Sequence, residues 1–261
     1  MTFIKLEKVN VEFPIYNAQS FSIRNSFLKA ATGGSLKKKG GNNLSVSALK
    51  NISFSLKHGD RLGLIGHNGS GKTTLLKLLG GIYSPASGKI QIKGKIATLF
   101  DILLGTYEDM TGFENLYISS VVRGKSISET KKSLKTMAEF TELGDYLYVP
   151  MRTYSAGMKV RVGFAVATEG TPEILLIDEV FGAGDKLFTS KAVNRLLSLI
   201  ERSGILVFST HSESLLRQLC NKVMLLEHGE IKAFGETEEI LSYYKTTSNV
   251  KEIAEKARRI G

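Results

Sequence analysis

The chain has 261 residues, of which 42% are hydrophobic, enough for one large α/β domain with a buried core. Lysine and arginine total 35 against 25 acidic residues, and the resulting net charge of +10 favours an anionic neighbour such as lipid headgroups or nucleic acid. The sequence has no apolar run near the length of a membrane span and no secretory segment. Its single cysteine, Cys220, excludes a disulfide framework and is predicted to be a packing residue in a reducing cytoplasm.

A glycine-rich pattern lies between an apolar run, Arg61 to Ile65, and a helix-like run, Thr74 to Leu79. Glycines let the backbone approach a polyphosphate closely, so that successive N–H groups point at oxygen atoms. The helix start adds partial positive charge, Lys72 adds a full charge, and Thr73 offers a hydroxyl to Mg²⁺. The pattern predicts binding of a nucleoside triphosphate by Gly66, His67, Asn68, Gly69, Ser70, Gly71, Lys72, Thr73 and Thr74.

A second motif is an apolar strand, Glu173 to Ile177, that ends in two carboxylates, Asp178 and Glu179. Ligands of parallel sheets bind at the carboxyl ends of the strands. Phosphoryl transfer requires charge neutralisation and a group that orients the attacking water. We therefore expect Asp178 to act at Mg²⁺ together with Thr73, and Glu179 to orient the water, which predicts an ATPase.

A third segment, Thr153 to Met158, precedes the helical run from Lys159 to Thr168. Ser155 and Gly157 at this helix start form a second anion-binding terminus in a chain with one phosphate loop. The segment is therefore either a simple serine N-cap or half of a site that serves a neighbouring molecule. Its residues resemble a variant of the ABC signature motif, Leu-Ser-Gly-Gly-Gln: Tyr154, Ser155, Ala156, Gly157 and Met158.

Two further segments extend the resemblance to an ABC transporter ATPase subunit over nearly the whole chain. Gly182 to Asp185 matches the D-loop, and Phe208 to His211 matches the strand end that carries the switch histidine. The resemblance implies an α/β P-loop NTPase fold of the ABC type, with a RecA-like core and a smaller helical lobe. It also implies a homodimer in which the signature segment contacts the ATP of the partner, while His211 holds the γ-phosphate.

A departure from the family pattern points to a subgroup. Where these ATPases usually carry a glutamine, the chain has Asp101, followed by Leu104-Gly105 and by Thr111-Gly112-Phe113-Glu114-Asn115. This pattern resembles polysaccharide exporters of the Wzt type. The resemblance implies two copies of a polytopic membrane permease, a lipid-linked polysaccharide substrate and a peripheral position at the cytoplasmic face of the bacterial inner membrane. Asp101 then contacts Mg²⁺, acts through water or serves the partner interface.

The expected organisation is an ABC ATPase domain over residues 1–245, with a helical lobe at 111–170, followed by a basic tail at 246–261. An insertion at 17–45 is predicted to begin with a short amphipathic helix and to end as a flexible basic loop that includes Lys37 to Lys39. Such an insertion can contact anionic lipid. Because the chain ends shortly after the ATPase pattern, we expect no carbohydrate-binding β-domain.

The family resemblance assigns an aromatic residue to adenine, and the local sequence decides the roles of the histidines. The family places an aromatic residue after the first strand to stack on adenine, and Phe13 matches that position best, with Tyr16 as the alternative. The four histidines are predicted to form no metal site, because His58 and His228 lie in turns and His67 contributes mainly its backbone.

Several functions compete. Export of O-antigen is the first expectation, with capsule or teichoic-acid export as the near alternative. A soluble ABC ATPase acting on nucleic acid is compatible with the charge, but the sequence has neither a second ATPase unit nor a basic strand interleaved with aromatics, so no nucleic acid is expected. A nucleotide switch without turnover is opposed by the presence of Glu179.

Overall fold

The structure is a computed structural model that describes residues 1–15, 36–39, 43–178 and 186–247. The chain divides into two compact units, one of Met1–Gly94 with Gly204–Gly261 and one of Lys95–Ser203. Several residues with an expected role lie outside the described ranges, namely Tyr16, Glu179, Asp185, most of the 17–45 insertion and the basic tail.

The first unit contains an antiparallel sheet and a group of mainly parallel strands. Its elements are β1 (Phe3–Ile15), β2 (Leu36–Lys39), β3 (Asn43–Lys57), β4 (Arg61–Ile65), α1 (Lys72–Leu79), β5 (Ser87–Lys93), β8 (Ile205–Ser209), α6 (Glu213–Leu219), β9 (Lys222–Glu227) and β10 (Glu230–Glu236). The elements of the second unit are β6 (Ile96–Thr98), α2 (Gly112–Val122), α3 (Ile127–Thr141), α4 (Ala156–Ala167), β7 (Ile174–Asp178) and α5 (Lys186–Arg202).

The antiparallel sheet has the strand order β2-β3-β1-β5. Apolar and polar residues alternate along β1, so that one face of the sheet is buried. Ile4 and Leu6 are buried, and Lys5 and Glu7, which alternate with them, are exposed. The register shifts after Leu6, where Lys8 adopts a positive φ of 49°. The inner face of this sheet therefore follows the sequence pattern, with three register shifts between Leu6 and Glu12 in the pairing of β1 with β3.

The prediction of a loop over Lys37 to Lys39 was wrong. Leu36–Lys39 forms β2, which pairs antiparallel with β3 and places Lys37 opposite Ser45. Three successive lysines give no alternating pattern, so a search for hydrophobic periodicity does not find this strand. Lysine is, however, a residue that proteins place on edge strands, where it prevents pairing with another chain, and β2 is at the edge of its sheet.

In the first unit's parallel region, β4 pairs with both β8 and β9, and β10 pairs antiparallel with β9. The strands β4, β8 and β9 are almost continuously apolar, and Leu62, Leu64 and Val207 are fully buried. A strand buried on both faces needs this composition. The carboxyl ends of β4, β8 and β9 consequently lie side by side.

The second unit is mainly helical and includes the parallel pair β6 and β7. Two helices begin with reciprocal capping boxes, Thr111 with Glu114 for α2 and Ser126 with Glu129 for α3. Such caps satisfy N–H groups that a helix start leaves unbonded, which explains why both boundaries follow the sequence closely. The unit is larger than the lobe expected at 111–170, because β6, β7 and α5 belong to it. Across the described ranges, no helix has the length and apolar character required to cross a membrane.

Cys220 is buried at the end of α6, and its burial raises the pKa of the thiol to about 12. Because the thiolate is the reactive form, we expect reaction with a disulfide reagent at pH 8 to be at least about 100-fold slower in the native protein than in urea. The unfolded thiol ionises first as the pH rises above about 9, so this group lowers stability in the alkaline range. Rapid stoichiometric labelling of the native protein would contradict the buried position.

Candidate functional site

The phosphate loop follows β4 and leads into α1, whose N-cap is Gly71. Gly66, Gly69 and Gly71 have φ values of 144°, 79° and 111°, which side-chain-bearing residues rarely adopt. The buried Lys72 donates from Nζ to the carbonyl oxygens of Gly66, at 2.6 Å, and of His67, at 3.2 Å. A cationic side chain is thus held across a curved backbone, an arrangement that fits a polyphosphate.

The remaining loop residues differ in exposure. Asn68, Gly69 and Thr73 are exposed and Thr74 is half-buried. Apart from the chain neighbours of Gly69, no atom of the described residues lies within 4 Å of a Cβ added there. The Ser70 hydroxyl is buried and has no hydrogen-bond partner among the described residues. Thr73 lies in the first turn of α1, where helical N–H groups have no partner within the helix. These features leave the loop open toward a ligand at the helix start.

The turn between β9 and β10 supports the phosphate loop through a backbone hydrogen bond. The Gly229 N–H donates to the Ser70 carbonyl at 3.0 Å, and the Lys50 N–H of β3 donates to the Gly229 carbonyl at 2.7 Å. A Cβ added at Gly229, where φ is 81°, would lie 2.5 Å from the Ala48 carbonyl oxygen. The phosphate loop, the β9–β10 turn and β3 are therefore joined by consecutive backbone hydrogen bonds, and only glycine fits at position 229.

His211 lies at the same sheet edge as the phosphate loop. Leu64, near the end of β4, pairs with Ser209, the last residue of β8, and His211 follows two residues later. His211 is exposed, whereas Thr210 before it is buried. The expected neighbourhood of this histidine and the loop thus follows from parallel pairing of β4 and β8.

Phe13 is half-buried near the end of β1, opposite Val46 of β3. Its ring meets the ring of Tyr83 edge to face, with centroids 5.0 Å apart and planes at 72°. Lys77 of α1 lies over the Tyr83 ring, with Nζ 5.8 Å from the centroid. Tyr83 was not identified from the sequence, because it follows α1 and only tertiary packing brings it to Phe13.

In the second unit, Asp178 ends β7 after four buried residues. Asp101 is exposed, and its carbonyl oxygen accepts from Nη2 of Arg123 at 2.5 Å. Nη1 of Arg123 donates to the Thr98 carbonyl at 3.4 Å. Burial lowers the pKa of Arg123, and the charge of Asp101 opposes that shift. Arg123, which sequence reasoning missed, therefore fixes the backbone on both sides of the β6–Asp101 connection.

The segment that resembles the signature motif has a buried residue, Tyr154, followed by an exposed helix start at Ser155. Tyr154 is buried, its hydroxyl donates to the Tyr146 carbonyl, and a Cβ on Gly112 would collide with that hydroxyl. Burial raises the pKa of the Tyr154 phenol, against a smaller opposing effect of its hydrogen bond with the Gly112 backbone. This side chain therefore packs inside its own unit, and its expected contact with the ATP of a partner stays a prediction.

Ser155, in contrast, is exposed and caps α4, accepting from the Met158 N–H at 3.3 Å. Ala156 beside it is also exposed. The helix start opens onto a cavity of about 620 Å³. Among the described residues, apart from the helix backbone and the chain neighbours of Gly157, the nearest atom to a Cβ added at Gly157 is the Ser155 hydroxyl oxygen, at 3.9 Å. The cavity is lined by Glu142, Leu143, Gly144, Tyr146, Ser155, Gly157, Met158 and Arg161. Its size and helix start suit a phosphate-bearing ligand.

Comparison with known proteins gives a family match. The family model described as ABC transporter matches residues 49–182. The chain is 46% identical to the O-antigen export system ATP-binding protein RfbE of Yersinia enterocolitica over 88% of this chain and 97% of that protein. It is 33% identical to the teichoic acids export ATP-binding protein TagH of Listeria innocua over 92% of this chain and 69% of that protein.

A solved structure supports the fold. The chain resembles the ATP-binding cassette MJ0796, in a dimeric post-hydrolysis state bound to ADP and Pi, with a TM-score of 0.63 and 22% identity over 90% of this chain and 98% of that one. Together with the family match, this likeness confirms the predicted α/β P-loop fold of the ABC type.

The braced loop gives a matched pair of variants, because His58-Gly59 and His228-Gly229 are both turns with glycine at positive φ. Gly229→Ala should weaken ADP binding at least about tenfold, since the added methyl group pushes Gly229 away from Ala48 and displaces Ser70. Gly59→Ala has open space and should change the affinity less than about twofold, with a loss of stability of about 1 kcal/mol. Equal ADP affinities for the two variants, measured by calorimetry, would remove the bracing role.

Proposed function

The chain belongs to the ABC transporter family, and on that premise we propose that it is the ATP-hydrolysing subunit of an exporter of lipid-linked polysaccharide, foremost O-antigen. The observation that carries this proposal is the similarity over nearly the whole length of an O-antigen export protein. Teichoic-acid export is the second candidate, since an ATP-binding protein of that export system is also similar over most of this chain.

The loop geometry supports specific roles in ATP binding. Gly66 to Thr74 surround the β- and γ-phosphates, and Lys72 neutralises charge that develops on the transferred group. Thr73 and Asp178 would hold Mg²⁺, with Asp101 as a further ligand or water-mediated contact, and the ion would supply additional charge neutralisation. Phe13 stacks on adenine, with its ring positioned by Tyr83.

Hydrolysis requires an attacking water in line with the γ-phosphate. Glu179 orients this water and His211 contacts the γ-phosphate from the end of β8. The strand register that brings His211 to the edge carrying the phosphate loop supports that role.

A second copy of the chain completes each ATP site. Ser155, Gly157 and Met158 contact the ATP bound to the phosphate loop of the partner, and Asp185 of the D-loop joins the two copies. The open helix start of α4 beside its cavity supports this arrangement, because the partial positive charge of a helix start attracts a phosphate from outside the chain.

A polytopic permease, present in two copies, places the ATPase at the cytoplasmic face of the inner membrane. An apolar groove of about 360 Å³ on the second unit, lined by Met110, Phe113, Glu114, Tyr117, Ile118 and Leu134, is the proposed docking site for a cytoplasmic segment of that permease. Beside it, Tyr148 is 68% exposed and stacks on Phe113 with centroids 5.9 Å apart. An aromatic pair with one exposed member at an apolar groove is typical of a protein interface.

Glu179→Gln should retain ATP binding but lower turnover at least about 100-fold, because the water loses its orienting base. The matched control is Glu173→Gln in the same segment, whose carboxylate accepts from the Lys95 N–H and has no proposed catalytic role. In the source bacterium, only the Glu179 variant should fail to restore the surface glycan to a deletion strain. Chemical analysis of the missing glycan distinguishes O-antigen from teichoic acid, and an unchanged surface would oppose polysaccharide export altogether.

The shared-site model predicts recovery of activity on mixing two inactive variants. Lys72→Ala disables the phosphate loop, and Gly157→Asp places a carboxylate at the helix start, where the chain itself leaves room for it. Random pairing yields mixed dimers with one intact site, so an equimolar mixture should regain about a quarter of the wild-type ATPase rate. Absence of recovery, although differently tagged chains copurify, would contradict composite sites.

A further inference from the structure

Two histidines that are distant in sequence lie together beside the phosphate loop. His67 belongs to the loop and His228 to the turn between β9 and β10. Their ring centroids are 4.9 Å apart, with the planes inclined by 54°, and both residues are exposed. The sequence-based expectation treated them as unrelated, so this pairing is a product of the fold.

The spacing of the two rings is fixed by the backbone that carries them. Gly229, next to His228, donates its N–H to the Ser70 carbonyl of the loop. His228 adopts a positive φ of 50°, and the side chain of Lys72 holds the His67 carbonyl at 3.2 Å. The two imidazoles are therefore brought together by a braced structure and not by chance approach of two long side chains.

The hydrogen bonding of His67 prepares one nitrogen for a metal. Its Nδ1 lies 2.7 Å from the Asn68 carbonyl oxygen, which can only accept, so Nδ1 carries the proton. In the neutral ring, Nε2 then has a free lone pair. Metal-bound histidines characteristically donate their other N–H to a carbonyl or carboxylate in this way.

The distance between the rings suits one shared ion. With metal–nitrogen bonds of about 2.1 Å and a tetrahedral angle, two coordinating imidazoles have their centroids roughly 5 Å apart. From this agreement with the observed 4.9 Å, we propose that His67 and His228 together bind a divalent transition-metal ion of the zinc type, with water in the remaining positions. Among the described residues there is no group of three or more such ligands, so the site is of the weak, exposed kind.

The ion joins the phosphate loop to the turn that braces it. Nearby charges are mixed, because Glu230 interacts with the charges of both His228 and Lys50 and is paired with Lys232 at 2.7 Å. Because these charges largely offset one another, the type of ligand decides which metal ion binds. Imidazole suits zinc and copper, whereas ions that prefer carboxylates, such as Mg²⁺, are disfavoured here.

The test is calorimetric titration of Zn²⁺ into the full chain, free of any histidine tag and without nucleotide. Wild type should bind one Zn²⁺ with a dissociation constant in the micromolar range, and His228→Gln or His67→Gln should weaken binding at least about tenfold. His58→Gln is the matched control, since His58 is also exposed and also precedes a turn glycine, and it should bind as wild type does.

Copper spectroscopy gives a second readout that a structural role would not alter. Cu²⁺ in place of Zn²⁺ should show two coordinated imidazoles in the wild type and one in either single variant. Equal zinc affinity in His228→Gln and wild type, or a two-imidazole signal in that variant, would overturn the proposal. Because no step uses ATP, this outcome is independent of the proposed ATPase and export roles.

Discussion

The geometry of the phosphate loop depends on backbone hydrogen bonds that it does not make within itself. A loop that points its N–H groups at a ligand has carbonyls on its other side, and these need partners of their own. The Gly229 N–H supplies one at Ser70, and the Lys72 ammonium supplies another at Gly66. Because β4, β8 and β9 end side by side, the ligand loop, His211 and the bracing turn all follow from one strand alignment.

The second unit uses a buried cation for a comparable purpose. Arg123, at the C-cap of α2, binds two carbonyls that flank the connection between β6 and Asp101, while its Nε is buried without a partner among the described residues. An unsatisfied buried donor is unfavourable by roughly 1–3 kcal/mol. The unpaired Nε therefore offsets part of the stability that the two Nη hydrogen bonds of Arg123 contribute.

Local chemistry made most elements predictable. Capping residues such as Thr111, Ser126 and Ser155 define helix starts within the chain itself, and glycine spacing defines the phosphate loop. The strand β2 escaped prediction because its lysines carry no alternating pattern, and its placement depends on pairing with β3. Contacts between segments that are distant in sequence could not be predicted either, because they too depend on tertiary structure. Neither the Phe13–Tyr83 pair nor the His67–His228 pair has a signal in its own neighbourhood, because strand pairing and loop packing create both.

Contacts inside the second unit connect the residues around the apolar groove with the segment that leads into α4. The Met151 N–H donates to the Met110 carbonyl at 2.9 Å, and the Arg152 N–H donates to the Glu108 carbonyl at 2.8 Å. Tyr154 continues this segment and packs against Gly112, the first residue of α2. Met110 lines the apolar groove, whereas Tyr154 precedes the exposed Ser155. Within the second unit, the segment that leads into α4 is therefore tied to the segment before α2 by two backbone hydrogen bonds and by the contact of the Tyr154 side chain with Gly112.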